Sequence, residues 1–442
     1  MTTFSAEVYQ NEFLPDGGIE VNTIVTVTAT TNGSPAAGGT KGTKGTEGTK
    51  GTDGTEAAEI IVIDTSGSMN YPPAKLRAAK HATAAAIDCI RDGVWFGVIA
   101  GDHLAHHIYP SWELVQASDE HRANAKTAVE QLGAKGGTAI GAWLTMANEL
   151  FATRPDGIHH AILLTDGKDE SESPEEFSSR LGACEGRFQC DCRGIGTDWV
   201  VSELRTISSA LLGTVDIIAK PEDMAADFQA MIEHAMGKAT ADVRLRLWTP
   251  QGAQVEFVKQ VAPTIEDLTE KRAAGANPLT GDYPTGAWGD ESRDYHLCIK
   301  VHPGQVGDEM LAGRVSLVVD DQPVSQALIK AIWTDDTQLS TRINREVAHY
   351  TGQAELADVI QEGLEARKTG DDATATVKLG RAVQLAAQSG NDDTAKLLSK
   401  VVDVDDAATG TVRLKKKVED VDEMALDTRS TKTVRVTKPA SP

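Results

Sequence analysis

Between residues 57 and 237 short apolar runs and helical patterns take turns, and this alternation restricts the fold more than any other feature of the chain. The runs are 59 to 63, 94 to 100 (VWFGVIA), 159 to 165 (HHAILLT), 188 to 196 (FQCDCRGIG) and 214 to 218 (TVDII). Each is short enough for one strand and apolar enough to be covered on both faces, as parallel strands are. Between them, 74 to 91 places Leu76, Ala79, Thr83, Ala86 and Ile90 at helical spacing, and 119 to 132, 139 to 151, 174 to 183, 200 to 212 and 222 to 236 behave alike. Such alternation predicts an α/β domain, a mostly parallel, doubly wound sheet with helices on both faces. Ligands of such sheets bind beyond the carboxyl ends of strands, near a topological switch point.

The first run, IIVID, ends there in hard oxygens: Asp64, Thr65, Ser66, Gly67 and Ser68. Asp64-x-Ser66-x-Ser68 resembles the Asp-x-Ser-x-Ser motif of the von Willebrand factor A domain, whose metal-ion-dependent adhesion site draws ligands from three loops. The family's second loop gives a threonine, and GAKGGTAIGAWL offers Thr138 after two glycines and before a helix. Its third gives an aspartate at the end of another central strand, and AILLTDGKDE offers Asp166. All five positions match in order and type, each loop at a predicted strand-to-helix junction. The resemblance implies a Rossmann-like domain over 57–237 in which Ser66, Ser68 and Thr138 coordinate through hydroxyls and at least one aspartate acts through water. It further implies that a partner protein's carboxylate is the cation's remaining ligand. Hydroxyl and carboxylate oxygens in a small octahedral site suit Mg²⁺ or Mn²⁺ better than zinc, which prefers nitrogen and sulfur. In that picture Gly136 and Gly137 let the backbone approach the ion, and the amino end of the helix near Ala139 favours an anionic ligand.

Helix capping by Asp64 and Ser66 explains one of these loops but not all three. An aspartate closing a strand also resembles the phosphotransferases of the haloacid dehalogenase type, but their second aspartate is replaced by Ser66. TSGSM is not the Gly-x-Ser-x-Gly elbow, and no glycine-rich Lys-Ser/Thr phosphate loop occurs. The expectation is a protein-protein interaction scaffold and no enzyme, with a metal-dependent hydrolase or phosphatase, or a phosphorylated regulatory protein read by a forkhead-associated domain, as the alternatives. A formal charge of −22 and a pI near 4.9 argue against nucleic acid and anionic membrane partners. The amino terminus has no basic region followed by an apolar core, and no stretch stays apolar long enough to cross a bilayer. Five cysteines fit a reducing compartment, so a cytoplasmic protein is expected.

The flanking segments follow other periods. Residues 20 to 30 alternate like a strand, as do segments around Val243, Leu245 and Leu247 and around Leu297, Ile299 and Val301. Residues 1–36 and 238–336 are therefore assigned to one β-sandwich into which the α/β domain is inserted. Residues 37–56, with glycine at every third position, read as a flexible Gly-Thr-rich loop, and 273 to 293 as a long loop. A helical bundle is expected over 338–402, and a disordered charged tail over 403–442. This layout resembles that of cytosolic bacterial von Willebrand A proteins. In the tail, Thr428, Thr431 and Thr433 are candidate phosphorylation sites for a kinase, to be read by a forkhead-associated domain. Cys184, Cys190, Cys192, Cys89 and Cys298 read as buried thiols, His103, His106 and His107 as a surface turn, and Ser173 to Glu176 as a capping box with proline at the first helical position.

Overall fold

The apolar runs become strands because neither of their faces meets water: Ile60, Ile61, Val62 and Ile63 are wholly buried. The computed structural model describes residues 2–31, 56–275 and 277–436, so the expected Gly-Thr-rich loop lies outside it but for its last residue. By internal contacts the chain forms two units, Thr31–Ala241 with Met1–Thr2 and Gly286–Gly289, and Thr3–Thr30 with Asp242–Thr285 and Asp290–Pro442.

In the first unit the sheet runs Val215–Ile218, Gln189–Ile195, Ile158–Thr165, Ala57–Asp64, Trp95–Gly101, Ala105–Tyr109, with Val115–Gln116 also on Trp95–Gly101. All pairings are parallel except those of Ala105–Tyr109 and Val115–Gln116. Strand order reverses between Ala57–Asp64 and Ile158–Thr165, so the switch point lies where Asp64 and Asp166 follow neighbouring strands. Helices Ala74–Cys89 and Met224–Met236 contribute Ala79, Ala82, Ala86, Phe228 and Ile232 to a core shared with Ile61, Ile63, Phe96 and Leu164. This is the predicted α/β arrangement, a parallel-strand sheet flanked by helices.

Toward the amino end of the same sheet three neighbouring strands carry a buried charge chain. His160 Nδ1 lies 2.9 Å from both oxygens of Glu59, and its Nε2 lies 3.1 Å from Asp191 Oδ2. The Thr214 amide and hydroxyl donate to Asp191 Oδ1, each at 2.7 Å. The three ionisable groups are each under a tenth exposed: Glu59 0%, His160 9%, Asp191 8%.

The second unit contains two largely antiparallel sheets, one ordered Thr2–Gln10, Glu20–Thr31, Glu291–Lys300, Gln254–Ala262, Glu266–Asp267. The other runs Ala273–Ala274, Thr280–Pro284, Val243–Trp248, Glu309–Val319, Gln322–Thr334, Phe13–Pro15. The expected loop at 273 to 293 thus contains strands Ala273–Ala274 and Thr280–Pro284 and the start of Glu291–Lys300. Its Gly, Pro and Asp content signals turns, but Asp282 takes a two-pronged bond from Arg246, both distances 2.7 Å, and Tyr283 is 1% exposed.

The tail is not disordered over its described length. Helices Arg345–Lys368, Asp372–Ser389 and Asp392–Val401 are followed by a hairpin of Val402–Asp406 with Thr411–Leu414, then by helix Asp420–Arg429. Val402, Val412 and Leu426 enter the core built by Leu379, Val383 and Leu398. The charged composition conceals these few well-spaced apolar residues. Beyond them the Ile265 amide donates to Thr431 O at 2.9 Å and the Thr433 amide to Pro263 O at 3.0 Å. Among the described residues no helix is long and apolar enough to cross a membrane.

Candidate metal centre

Ala57–Asp64 delivers Asp64 to the carboxyl edge of the sheet with no exposed surface, and a 3-10 turn, Gly67–Asn70, carries Ser68 back over it. Asp64 is fixed by three donors: the Ser66 amide on Oδ1 at 2.7 Å, and the Thr165 hydroxyl and Asp166 amide on Oδ2 at 2.6 and 3.4 Å. Burial pushes its pKa up to about 6, against the lowering effect of the bonds from Ser66 and Thr165. Ser66 Oγ lies 2.9 Å from Ser68 Oγ, which donates to Asp166 Oδ1 at 2.6 Å across 98 residues of sequence.

The loop bearing Thr138 is tied to the first by backbone bonds, Gly67 N to Gly136 O at 3.0 Å and Lys135 N to Thr65 O at 2.8 Å. Thr138 is 5% exposed, and its carbonyl accepts the amides of Glu170 and Ser171 from the third loop. A Cβ placed on Gly167 would lie 3.3 Å from Thr138 Oγ1 and 3.7 Å from Ser68 Oγ. The second-loop hydroxyl and the serine cluster therefore face one small space. All five predicted residues come together.

One expectation for the second loop needs correcting. Gly136 and Gly137 are also required by the loop's own packing: Gly136 has φ +76°, and a Cβ there would lie 2.6 Å from His103 Nδ1, while one on Gly137 would lie 2.6 Å from Ser171 Oγ. The amino end of helix Ile140–Ala152 is already taken, because Asp169 Oδ2 accepts the Ile140 amide at 2.9 Å and Glu172 Oε2 the Gly141 amide at 2.6 Å. An incoming anion meets carboxylates there. The expected capping box is present: Ser173 accepts from the Glu176 amide, and the Glu176 carboxylate from the Ser173 amide.

One residue of the site escaped the sequence. Lys75, in the first turn of helix Ala74–Cys89, is 6% exposed, and its Nζ donates to Asp166 Oδ2 at 2.6 Å and Asp198 Oδ2 at 3.3 Å. Burial would lower its pKa, but the bond and charge of Asp166 outweigh that and raise it. The available signal was a lysine at a helix amino terminus, the unfavourable end for a cation, which calls for a local counter-charge.

The other candidates lie elsewhere. Cys190 and Cys192 Sγ are 4.0 Å apart and wholly buried, as is Cys184; Cys298 is buried and Cys89 half-buried. His103 occupies a turn, but His106 and His107 belong to strand Ala105–Tyr109, and both His103 and His106 approach the buried carboxylate of Asp102. Among the described residues no group of three or more His, Cys, Asp or Glu is arranged to hold a metal. Of the tail candidates, Thr428 is 1% exposed with its hydroxyl on Met424 O, Thr433 donates to Val261 O at 2.6 Å, and Thr431 is half-buried. Modification of Thr428 would require its helix to open.

Residues 58–217 match the von Willebrand factor type A domain, and residues 384–430 the von Willebrand factor type A C-terminal domain. A solved structure described as von Willebrand factor type A from Catenulispora acidiphila is 52% identical over 98% of both chains, with a TM-score of 0.91. The ArnB paralog VWA2 from Sulfolobus acidocaldarius, at 15% identity over 98% of both chains and a TM-score of 0.58, shares the fold. No curated protein matches the chain. With more than half of its residues shared along essentially its whole length, the chain belongs to the von Willebrand factor type A family.

Proposed function

We propose that this protein is a metal-dependent interaction scaffold and not an enzyme. Ser66, Ser68 and Thr138, with Asp64 and Asp166, would hold one Mg²⁺ or Mn²⁺ ion, and an acidic side chain of a partner protein would complete its coordination. The reading is carried by the bond from Ser68 Oγ to Asp166 Oδ1 at 2.6 Å, which joins oxygens from two strand ends facing the Thr138 hydroxyl. The donor set fits the ion. All five residues offer hard oxygens, and the 2.9 Å between the two serine hydroxyls is the edge of an octahedron with arms of about 2.0–2.1 Å. A bound cation would supply an open position for an anionic oxygen, while Ser66 and Thr165 hold the Asp64 carboxylate in one orientation.

In the same reading the two antiparallel sheets form a β-sandwich interrupted by the α/β unit. A side chain on Gly313 of one sheet would meet Ile299 Cδ1 of the other at 2.9 Å, as facing layers require. The helices after Arg345 form a bundle, and the protein works in the bacterial cytoplasm. Titration calorimetry with Mn²⁺ and Mg²⁺ tests the site. One ion per chain is expected for the wild type, and binding at least about tenfold weaker for Thr138→Ala. Absence of binding to the wild type refutes the reading.

A further inference from the structure

The ammonium of Lys75 is held where the proposed site most needs negative charge. Asp166 divides its carboxylate: Oδ1 takes the Ser68 hydroxyl and so faces the oxygen cluster, while Oδ2 takes Lys75 Nζ at 2.6 Å. The same ammonium reaches Asp198 Oδ2 at 3.3 Å, and that side chain is 69% exposed. With its side chain only 8% exposed, the charge of Lys75 is screened by water and salt far less than that of a surface lysine. We infer that Lys75 is a tethered counter-cation that holds down the site's affinity for a divalent ion until an anionic oxygen from a partner joins it.

The inference rests on the metal reading above. The two buried carboxylates, Asp64 and Asp166, and the buried ammonium present a single net negative charge, Asp198 being 69% exposed and screened by solvent, so a divalent ion bound among them leaves the buried groups one charge positive. That surplus favours an anionic partner oxygen over water. An opposite charge beside a carboxylate changes its proton affinity by one to three powers of ten, and a competing cation feels the same field. Asp198 offers the ammonium a second seat and thereby eases its hold on Asp166.

Mn²⁺ and Mg²⁺ titrations of the full chain decide the matter. Lys75→Met is expected to bind metal at least about tenfold more tightly than wild type, and Lys75→Arg, which keeps the charge, to stay near wild type. Asp198→Asn, at an exposed position that does not endanger folding, is expected to bind roughly twofold to fivefold more weakly, as the loss of an exposed ion pair allows. It carries the test if Lys75→Met fails to fold. A folded Lys75→Met that binds equally or more weakly, or Asp198→Asn that binds equally or more tightly, overturns the role of Lys75 and leaves the metal site standing. Absence of binding in every protein, wild type included, overturns both.

Discussion

Replacing His160 by asparagine is expected to cost the α/β unit about 3–5 kcal/mol, the usual consequence of removing one partner from a buried ionic cluster. The size follows from the surroundings. Glu59 and Asp191 have almost no contact with water, and His160 is the charged group that both of them touch. Burial alone would lower the imidazole pKa, but the Glu59 charge and the bonds to Asp191 and Glu59 push it up to about 10. Asp191, which burial alone would raise, is held well below the usual carboxylate range by the bond and charge of His160, whereas burial raises Glu59 despite the opposing histidine. A group whose pKa is raised on folding stabilises fully below its unfolded value and loses that contribution as pH rises through its folded value. The histidine's contribution is therefore complete below about pH 6.5 and fades toward pH 10. Calorimetric melting of wild type and His160→Asn from pH 6 to 10 provides the assay. For a unit of this size the variant's transition should fall by roughly 6–20 °C near neutrality, and the gap should narrow as pH rises. A loss below about 1 kcal/mol, or a gap independent of pH, would refute the argument that an imidazolium neutralises this cluster.

Leu426→Ala should lower the stability of the second unit by about 2–5 kcal/mol in urea unfolding, because Leu426 is wholly buried within what the sequence presented as a charged tail. A change below about 0.5 kcal/mol, normal for an exposed position, would show that the helix does not dock. Gly136→Ala should cost about 1–2 kcal/mol by forcing a side chain into left-handed backbone at φ +76°. Gly133→Ala in the same loop, where a Cβ meets nothing within 4 Å, should be close to neutral, and equal melting of the two variants would remove strain as the explanation.

The sheet was legible because its central strands are buried on both faces and so leave short, largely apolar runs, broken mainly by Glu59, the His159–His160 pair, Asp191 and Arg193. The oxygen cluster was legible for a related reason: Asp64 and Asp166 directly follow such runs, and Thr138 is marked by its glycines. What stayed hidden has no period. Lys75 adjoins Leu76 on a helix whose apolar pattern is satisfied without it, and its destination, Asp166, lies 91 residues away. Asp169 and Glu172 precede the helix Pro174–Cys184, but their carboxylates cap Ile140–Ala152, which only the folded loop brings near. Thr431 and Thr433 attach through backbone bonds to 263–265, and main-chain pairing of a single extended segment writes no pattern into side chains. Composition misjudged the carboxyl terminus because three apolar residues, Val402, Val412 and Leu426, suffice to anchor a long charged stretch.

Glu20–Thr31 pairs with Glu291–Lys300, and Thr28 and Ser292, whose hydroxyls bond across that pair, stand 264 residues apart in the chain. A ribosome must therefore release the first strand long before it makes the second. If the intervening chain were a random coil, closing a loop of that length would cost about 5 kcal/mol by the logarithmic law. Folding of the α/β unit before the second strand is made would shorten the effective loop. The order of synthesis thus predicts a folding schedule: the α/β unit first, then a sheet that waits for its distant half, with the apolar face of Glu20–Thr31 open to wrong partners in the interval.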